Sequence, residues 1–233
     1  DKGLENLAKV TKDCKSSIIV GAPRKEKNTI RNSVFIIENG EISTFRDKYE
    51  LPNSGVFDEQ RIFTPGNLSG PVNIKGVRIG IPICEDIWRE NVIECLAESG
   101  AEIIVSINAS PFTLSKNNER LSVAISRIRE NELPLVYLNR YGGQDELVFD
   151  GNSFALNDDG SIFLNCKSVP SFCANTPSPT VPMLLAVRDP GLRRSSSSKL
   201  SFTLPNPSYN IPVFIVALSG LLYQVNPHDS HKI

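Results

Sequence analysis

The sequence predicts a mixed α/β (α+β) fold in which helices cover a β-sheet. Two observations support this fold class. Short apolar runs rich in β-branched residues, typical of buried strands, alternate with longer segments that repeat an apolar residue every three or four positions, as helices do. Strands and helices that alternate in this order form a sheet with helices packed on it. At 233 residues, the chain can hold one large domain or one domain with an appendage.

Each predicted element has a local signal. The first helix is predicted where Leu4, Leu7 and Val10 share one face, and a hairpin is predicted around Asn39-Gly40, since this dipeptide favours the left-handed turn that hairpins need. The predicted strands are residues 17–22, 33–37, 42–45, 77–83, 102–107, 134–138, 148–157 and 161–163. The other predicted helices are a short one that ends at Gly100 and a longer one at residues 116–133.

The periodicity stops after Phe163, which divides the chain into two parts. Residues 1–163 carry a formal charge of -5, whereas residues 164–233 carry +4 and contain nine of the sixteen prolines. Composition rich in Pro and Ser is typical of linkers and disordered chains. We therefore predict a domain at residues 1–163 and, at residues 164–233, a disordered or unrelated tail.

Composition and motifs exclude several classes of function. The net charge is -1 and no segment is basic enough to bind nucleic acid. The apolar stretch 211–222 has about 12 residues, fewer than the roughly 20 that span a bilayer, so we expect no membrane segment. The five cysteines do not have the spacing of a metal site, and the sequence shows no signal peptide. Both observations favour a reducing, cytoplasmic location. No phosphate-binding glycine loop is present.

Cys84 is the candidate nucleophile because it stands where the predicted strand 77–83 ends. A side chain at such a corner is held rigidly, and the amides of the following turn can donate to an oxyanion. The alternative is that Cys84 is a small buried apolar residue. Both histidines, His228 and His231, lie in the tail, so the domain has no imidazole base and no Cys-His pair.

A cysteine in this position needs a cation nearby. Glu85 and Asp86 follow Cys84 directly, and negative charge next to a thiol disfavours the thiolate. Lys48, in a predicted loop, is the candidate cation. The alternative is that Lys48 is an ordinary solvated surface charge.

Several motifs in the order of the chain resemble the nitrilase (carbon-nitrogen hydrolase) superfamily. These motifs are Lys48-x-x-Leu51-Pro52, residues 57–66 (FDEQRIFTPG) and the strand that leads into Cys84-Glu85-Asp86. Residues 83–88 (ICEDIW), 108–111 (NASP) and 142–151 (GGQDELVFDG) resemble one branch, the glutamine-hydrolysing domains of glutamine-dependent NAD(+) synthetases. The resemblance covers about residues 1–163.

The resemblance implies a four-layer α-β-β-α sandwich and a Glu-Lys-Cys triad. Cys84 would attack the side-chain amide of L-glutamine, release ammonia and form a thioester. Lys48 would stabilise the thiolate and the oxyanion, and Glu59 would be the additional acidic residue that supports Lys48. The substrate positions of the family match Ser110, Lys116 and Glu85.

Alternative interpretations remain for two of these residues. Glu59 is alternatively a surface carboxylate paired with Arg61. Lys116 is alternatively an ordinary residue of the first helical turn.

Three features depart from the pattern of the family. Ser54 stands where a tyrosine usually lines the glutamine pocket, and Arg140-Tyr141 replaces a more usual Gln-Val. The general-base glutamate of the family lies on a strand before the first helix of this sequence, so we expect an N-terminally truncated sandwich. We also expect little or no turnover from these 233 residues, since thiolate formation and thioester hydrolysis need a proton acceptor.

The resemblance also implies partners. The domain itself would need no cofactor or metal, and its ammonia would serve an ATP- and Mg-dependent synthetase domain that these residues do not match. That domain would amidate nicotinate adenine dinucleotide, and a homo-oligomer is expected. Two alternatives remain: a free-standing carbon-nitrogen hydrolase that acts on another small amide, and a non-catalytic oligomerisation or interaction module.

Overall fold

The structure, a computed structural model, describes residues 2–13, 16–165, 183–187, 192–194, 200–202 and 213–217. Its described helices are α1 (Lys2–Val10), α2 (Glu90–Glu98) and α3 (Lys116–Asn131), with two short 3₁₀ helices at Glu59–Arg61 and Cys84–Trp88. Its first strands are β1 (Ser17–Glu26), β2 (Thr29–Glu38), β3 (Glu41–Asp47), β4 (Val72–Ile74), β5 (Val77–Gly80), β6 (Ile103–Asn108) and β7 (Leu135–Asn139). The later strands are β8 (Tyr141–Gln144), β9 (Leu147–Asp150), β10 (Phe154–Leu156), β11 (Ile162–Asn165), β12 (Met183–Val187), β13 (Leu192–Arg194), β14 (Leu200–Phe202) and β15 (Val213–Ala217).

The first sheet has five strands in the order β12-β15-β1-β2-β3. Strands β1 and β2 form a long antiparallel hairpin, and β2 pairs with β3 across the predicted turn at Asn39 and Gly40, both of which have positive φ. On its other side β1 pairs in parallel with β15, with Ser17 opposite Val213. The edge of β1 is therefore covered by a strand from the tail.

The second sheet has six strands in the order β11-β10-β7-β6-β5-β4. Strands β5, β6 and β7 are parallel neighbours, and helices α2 and α3 make the connections between them. Parallel strands joined by helices end at one edge of a sheet. The residues that follow β5, β6 and β7 are therefore brought together there.

Three apolar clusters divide the molecule into four layers. Side chains of both sheets meet in the central cluster, which contains Ile19 and Ile36 from the first sheet and Val105 and Leu138 from the second. Helices α2 and α3 pack on the outer face of the second sheet, and α1 packs through Leu4 on the outer face of the first. The α-β-β-α sandwich implied by the resemblance is confirmed.

The predicted elements differ from the observed ones at several points. The short strand β4 was not predicted, and the predicted strand 77–83 is observed as β5 only as far as Gly80. The predicted strand 148–157 is interrupted at Gly151, whose positive φ allows a sharp turn, and it forms part of two strands, β9 and β10. The short hairpin of β8 and β9 was not predicted, because residues 141–144 contain two glycines and lack an apolar alternation.

The prediction for residues 164–233 stays a prediction. Most of the tail lies outside the described residues, as do both histidines and Cys14, Cys166 and Cys173. The described parts of the tail beyond β11 are four short strands, and β12 and β15 belong to the first sheet. In the part of the chain that the structure describes, no helix is long and apolar enough to cross a membrane.

Candidate active site

Cys84 lies at the corner predicted for it, just beyond β5. Ile83 forms an isolated parallel bridge with Ile107 of β6, which ties the corner to the sheet. Cys84 itself has a φ of 51°, a left-handed conformation that is rare for a residue with a side chain. Backbone strain of this kind is concentrated at functional sites. The half-buried thiol is thus held by a strained turn that starts the 3₁₀ helix.

Lys48 is held in the interior rather than on the surface, since it is only 1% exposed. Its backbone N–H donates to the carbonyl of Asn32 (2.8 Å), and its carbonyl accepts from Gly66 N–H (2.7 Å). Gly66 is needed for this approach, because a Cβ there would come within 2.7 Å of the Cβ of Asp47. The alternative of a solvated surface charge is wrong for Lys48.

Glu59 is the ion-pair partner of Lys48. Its Oε1 lies 2.7 Å from Lys48 Nζ, and its Oε2 accepts a hydrogen bond from Asn32 Nδ2 at 3.3 Å. Arg61, which the alternative interpretation paired with Glu59, forms its ion pair with Asp58. Glu59 therefore supports the Lys48 ammonium from the first turn of the short helix Glu59–Arg61.

The charges of Lys48 and Cys84 act on each other. Burial lowers the pKa of Lys48, but Cys84 and Glu59 outweigh it, so the pKa lies above its ordinary value and the ammonium is charged. Burial raises the pKa of Cys84, as do Glu59 and Glu85, whereas Lys48 and the backbone N–H of Ala109 lower it. The net pKa is raised, so the resting sulfur is a thiol. Lys48 acts in the expected direction but does not outweigh the burial.

Ser110 is fixed beside this corner, in the loop that follows β6. Asn139, the last residue of β7, accepts from Ser110 N–H at its Oδ1 (2.9 Å) and donates from Nδ2 to the carbonyl of Ser110 (3.2 Å). The preceding Ala109 N–H is the one that donates to the Cys84 sulfur. The nucleophile therefore follows β5, and the backbone donor and the hydroxyl follow β6. Asn139, at the end of β7, holds the loop that carries them.

Comparison with known proteins identifies the family. A profile of the family described as carbon-nitrogen hydrolase matches residues 2–170. The chain belongs to the carbon-nitrogen hydrolase family. This assignment agrees with the sandwich and with the Cys84-Lys48-Glu59 arrangement.

The carbon-nitrogen hydrolase chain is similar to proteins named glutamine-dependent NAD(+) synthetase. The protein from Rhodobacter capsulatus is 40% identical over 143 residues, which are 61% of this chain and 26% of that protein. The protein from Aquifex aeolicus is 36% identical over 169 residues, 72% of this chain and 30% of that protein. This chain therefore spans between a quarter and a third of the length of these relatives.

Solved structures agree with the fold. The glutamine-dependent NAD+ synthetase of Acinetobacter baumannii, in complex with adenosine diphosphate, superposes with a TM-score of 0.67 at 31% identity, over 72% of this chain and 32% of that chain. An amidase of the nitrilase superfamily from Nesterenkonia AN1 superposes with a TM-score of 0.64 at 20% identity, over 72% of this chain and 64% of that chain. The second similarity supports the sandwich fold alone.

Lys116 and Glu85, the other predicted substrate residues of this carbon-nitrogen hydrolase, lie around the helix that starts at Cys84. Lys116 begins α3, and its Nζ lies 4.5 Å from the centre of the Trp88 ring and 3.1 Å from Glu119. Glu85 is half-buried, with Oε1 3.9 Å from Arg89 Nη2. Both are close in sequence or space to the Cys84 turn, and their roles toward a substrate remain predictions.

Ser54 and Arg140, the two departures from the family pattern, have different surroundings. Ser54 lies in an exposed turn, where its carbonyl accepts from Phe57 N–H at 3.1 Å. The Arg140 guanidinium lies 4.7 Å from the centre of the Phe149 ring and donates to Gln144. Arg140 therefore braces the β8–β9 hairpin beside the loop of Ser110.

Asp86 is a structural part of the site that the sequence reasoning did not assign. It is 3% exposed; its Oδ1 accepts from Glu50 N–H (2.7 Å) and its Oδ2 from Ile83 N–H (3.0 Å). One carboxylate thus joins the segment after Lys48 to the segment before Cys84. Burial raises the pKa of Asp86 to about 6, although these two N–H groups lower it. The signal was present, since an acidic residue in a first helical turn can accept from the backbone before it.

No metal centre is evident in the described ranges, where no three metal-ligating side chains form a group that could hold an ion. The arrangement of this carbon-nitrogen hydrolase consists instead of a thiol, a charged amine, a carboxylate and backbone donors. These are the components of covalent acyl transfer with electrostatic stabilisation of an oxyanion.

Proposed function

We propose that this chain is the glutamine-hydrolysing part of a glutamine-dependent NAD(+) synthetase. The observation that carries the proposal is the Cys84-Lys48-Glu59 constellation, in a chain that is 40% identical to a protein of that name. Glutamine is the amide donor in the names of the relatives, and a thiol next to a buried ammonium suits the attack on a carboxamide. The reaction is hydrolysis of L-glutamine to glutamate and ammonia.

The first half of the reaction forms a thioester. The Cys84 sulfur attacks the side-chain amide carbon, and the carbonyl oxygen becomes an oxyanion. The Lys48 ammonium and a backbone amide at the Cys84 corner stabilise that charge as it develops. When the C–N bond breaks, the nitrogen leaves as ammonia after it takes up the proton released by the thiol.

The second half hydrolyses the thioester. Water adds to the acyl carbon, the C–S bond breaks, glutamate leaves and the proton returns to the sulfur. Both halves need a group that accepts a proton and gives it back. Glu59 already accepts from Lys48 and Asn32 with its two oxygens, which suits a supporting role better than that of the base. We therefore expect slow turnover from these 233 residues alone.

Substrate recognition is assigned to three residues. Ser110 offers a hydroxyl beside the Ala109 donor, Lys116 a cation and Glu85 an anion. The α-carboxylate and α-ammonium of an amino acid would match these groups in charge. The Lys116 ammonium now lies over Trp88 and next to Glu119, within reach of the turn that Cys84 begins.

The wider context of the reaction is also part of the proposal. The relatives are three to four times longer than the matched part, and their name implies a synthetase region. Ammonia from this site would serve that region, which would use ATP and Mg to amidate nicotinate adenine dinucleotide. Cytoplasmic location and a homo-oligomer belong to the same proposal.

The experiment is single-turnover acylation of the 233-residue chain. The protein is mixed with L-glutamine, and intact-mass measurement follows the glutamyl adduct while a coupled assay follows ammonia. We expect the adduct on Cys84, its absence in Cys84→Ser, and slow release. Faster acylation by another small amide would favour a free-standing amidase. If no amide acylates Cys84 and iodoacetamide does not label it at any pH up to 10, the chain is a non-catalytic module.

A further inference from the structure

The most extensively hydrogen-bonded side chain beside the site belongs to Arg120, which the proposed chemistry does not use. Arg120 lies in α3, is 1% exposed, and points into the loop that follows β6. Its Nε donates to Ser110 Oγ at 3.0 Å. Its Nη2 donates to the carbonyls of Ser110 and Pro111, both at 2.8 Å.

The remaining donors of Arg120 bind a carboxylate. Nη1 lies 2.8 Å from Asp150 Oδ1 and 3.1 Å from Asp150 Oδ2. Asp150, the last residue of β9, also accepts from Asn152 at 2.6 Å. All three nitrogens of the guanidinium thus donate to acceptors of the protein. Lysine carries its three donors on a single nitrogen and cannot reproduce this set.

Asn139 and Arg120 both bind the Ser110 carbonyl, but they differ in the other parts of Ser110 that they hold. Asn139 binds the backbone N–H and carbonyl, and so fixes the loop that also carries the Ala109 donor. Arg120, unlike Asn139, also contacts the Ser110 side chain, at Oγ. Loss of the Arg120 contacts would therefore free the hydroxyl to change rotamer, while Asn139 still binds the backbone N–H and carbonyl of Ser110.

The contact also decides what the hydroxyl can do. A serine hydroxyl has one donor and two acceptor positions. Arg120 can only donate, so it occupies an acceptor position of Ser110. The Ser110 O–H is then the group left to donate.

We propose that Arg120 is a positioning residue that orients the Ser110 hydroxyl as a hydrogen-bond donor toward the carboxylate of an amino-acid substrate. The inference rests on the proposed function, because it assumes that the substrate is an amino acid. Arg120 acts through Ser110 and does not touch the substrate. Its loss should weaken recognition of the amino-acid end and leave the sulfur chemistry intact.

The test compares two reagents that alkylate Cys84. A diazoketone analogue of glutamine carries the amino-acid end, whereas iodoacetamide lacks it. The measurement is the ratio of the two second-order labelling rates at Cys84, located by peptide mapping. For Arg120→Lys we expect the ratio to fall about tenfold or more, as for a lost hydrogen bond to a charged group. The iodoacetamide rate should change by less than about twofold, because the loop backbone stays bound to Asn139.

Arg127→Lys is the matched control. Arg127 is another buried arginine of α3, and it pairs with Glu90 and Glu130 rather than with the Ser110 loop. It should leave the ratio unchanged. An equal fall of the ratio in Arg127→Lys, or an equal loss of both labelling rates in Arg120→Lys, would mean that Arg120 only stabilises the fold and would overturn the proposal.

Two further variants keep the test decisive. Ser110→Ala should lower the ratio by itself, and adding Arg120→Lys to it should lower the ratio no further, since the two changes remove one interaction. A further fall would overturn the proposal. If Arg120→Lys does not fold, Asp150→Asn is tested in its place. We expect a smaller fall in the ratio for this variant, and an unchanged ratio would count against the proposal. If the unaltered protein shows no preference for the diazoketone, the proposed function itself fails.

Discussion

One buried cation–carboxylate pair acts on Cys84 and another holds the Ser110 loop, and the two are built differently. Lys48 and Glu59 share one contact of 2.7 Å, and the ammonium lies close enough to Cys84 to lower the pKa of the thiol. Arg120 and Asp150 share two contacts, at 2.8 and 3.1 Å, and the guanidinium also binds two carbonyls and a hydroxyl. Both cations are 1% exposed, so burial does not distinguish the pairs.

The difference lies in what each cation can do after pairing. A lysine ammonium is a compact charge on a flexible stem, and Lys48 has donors left when Glu59 takes one. An arginine fork has a fixed plane, and all three nitrogens of Arg120 are already hydrogen-bonded. The lysine pair is therefore suited to charge that appears during a reaction, and the arginine pair to holding a loop in one geometry.

The largest expected effect comes from removing the reactive cation. Lys48→Met should slow formation of the glutamyl thioester about 100- to 1,000-fold, because the oxyanion loses its cationic partner. The pH midpoint of Cys84 alkylation should move upward, since Lys48 lowers the pKa of the thiol. Intact-mass kinetics and a pH series of iodoacetamide labelling measure the two effects. Asp150→Asn, which weakens the other pair, should leave the pH midpoint in place.

Lys48→Met should also destabilise the fold, and a double variant separates the two effects. The single change leaves the buried Glu59 carboxylate without its cation, which costs about 3–5 kcal/mol. Lys48→Met/Glu59→Gln should recover most of the free energy of unfolding without recovering thioester formation. Recovery of both would show that Lys48 acts only through stability.

A smaller effect is expected at Asp86, a buried carboxylate held by backbone N–H groups rather than by a cation in direct contact. Its pKa is raised to about 6 in the folded chain, so the stability it contributes is present below pH 4 and is lost as the pH rises through 6. Between pH 4 and 7 the protein should lose about 3 kcal/mol relative to Asp86→Asn, at about 1.4 kcal/mol for each pH unit of the shift.

Urea unfolding of both proteins at several pH values measures this difference. Every other titrating group is shared, so it cancels when the two free energies of unfolding are subtracted. A difference that stays constant from pH 4 to 7 would mean that Asp86 is ionised as readily in the folded chain as in the unfolded one.

The Lys48–Glu59 pair was predicted from the sequence. The burial of Arg120 was not predicted, although the sequence contains a signal for it. Lys48 and Cys84 are far apart in the chain. The need of the thiol for a nearby cation made Lys48 a candidate, and the resemblance of several ordered motifs supported the pairing. Arg120 has a purely local signal: with Ala124, Arg127 and Ile128 it forms the buried stripe of α3. An arginine on an apolar helical stripe indicates a buried acceptor set. That signal does not name Asp150 or Ser110, since long-range partners depend on how the strands are ordered.

The four layers followed from the family resemblance, whereas strand alternation alone predicted only a sheet covered by helices. Local patterns do not show how many sheets the strands form, because pairing depends on distant segments. The tail illustrates this. β12 and β15 are runs of five apolar residues within Pro- and Ser-rich sequence. The run of β15 lies in the apolar stretch 211–222, but nothing in that stretch indicates that it pairs with β1.

The smallest expected effect comes from neutralising the carboxylate of each pair, Glu59 or Asp150. Glu59 raises the pKa of the Cys84 thiol, so Glu59→Gln should lower that pKa and move the midpoint of iodoacetamide labelling to lower pH. Asp150→Asn should produce no such shift, because the arginine that Asp150 binds contacts the Ser110 loop rather than Cys84. Thioester formation should nevertheless slow in Glu59→Gln, because Lys48 loses the carboxylate that holds it in place and keeps it charged. If the pH midpoint of labelling instead rises in Glu59→Gln, Lys48 has lost its proton in that variant. Glu59 would then control the charge of Lys48 rather than its position.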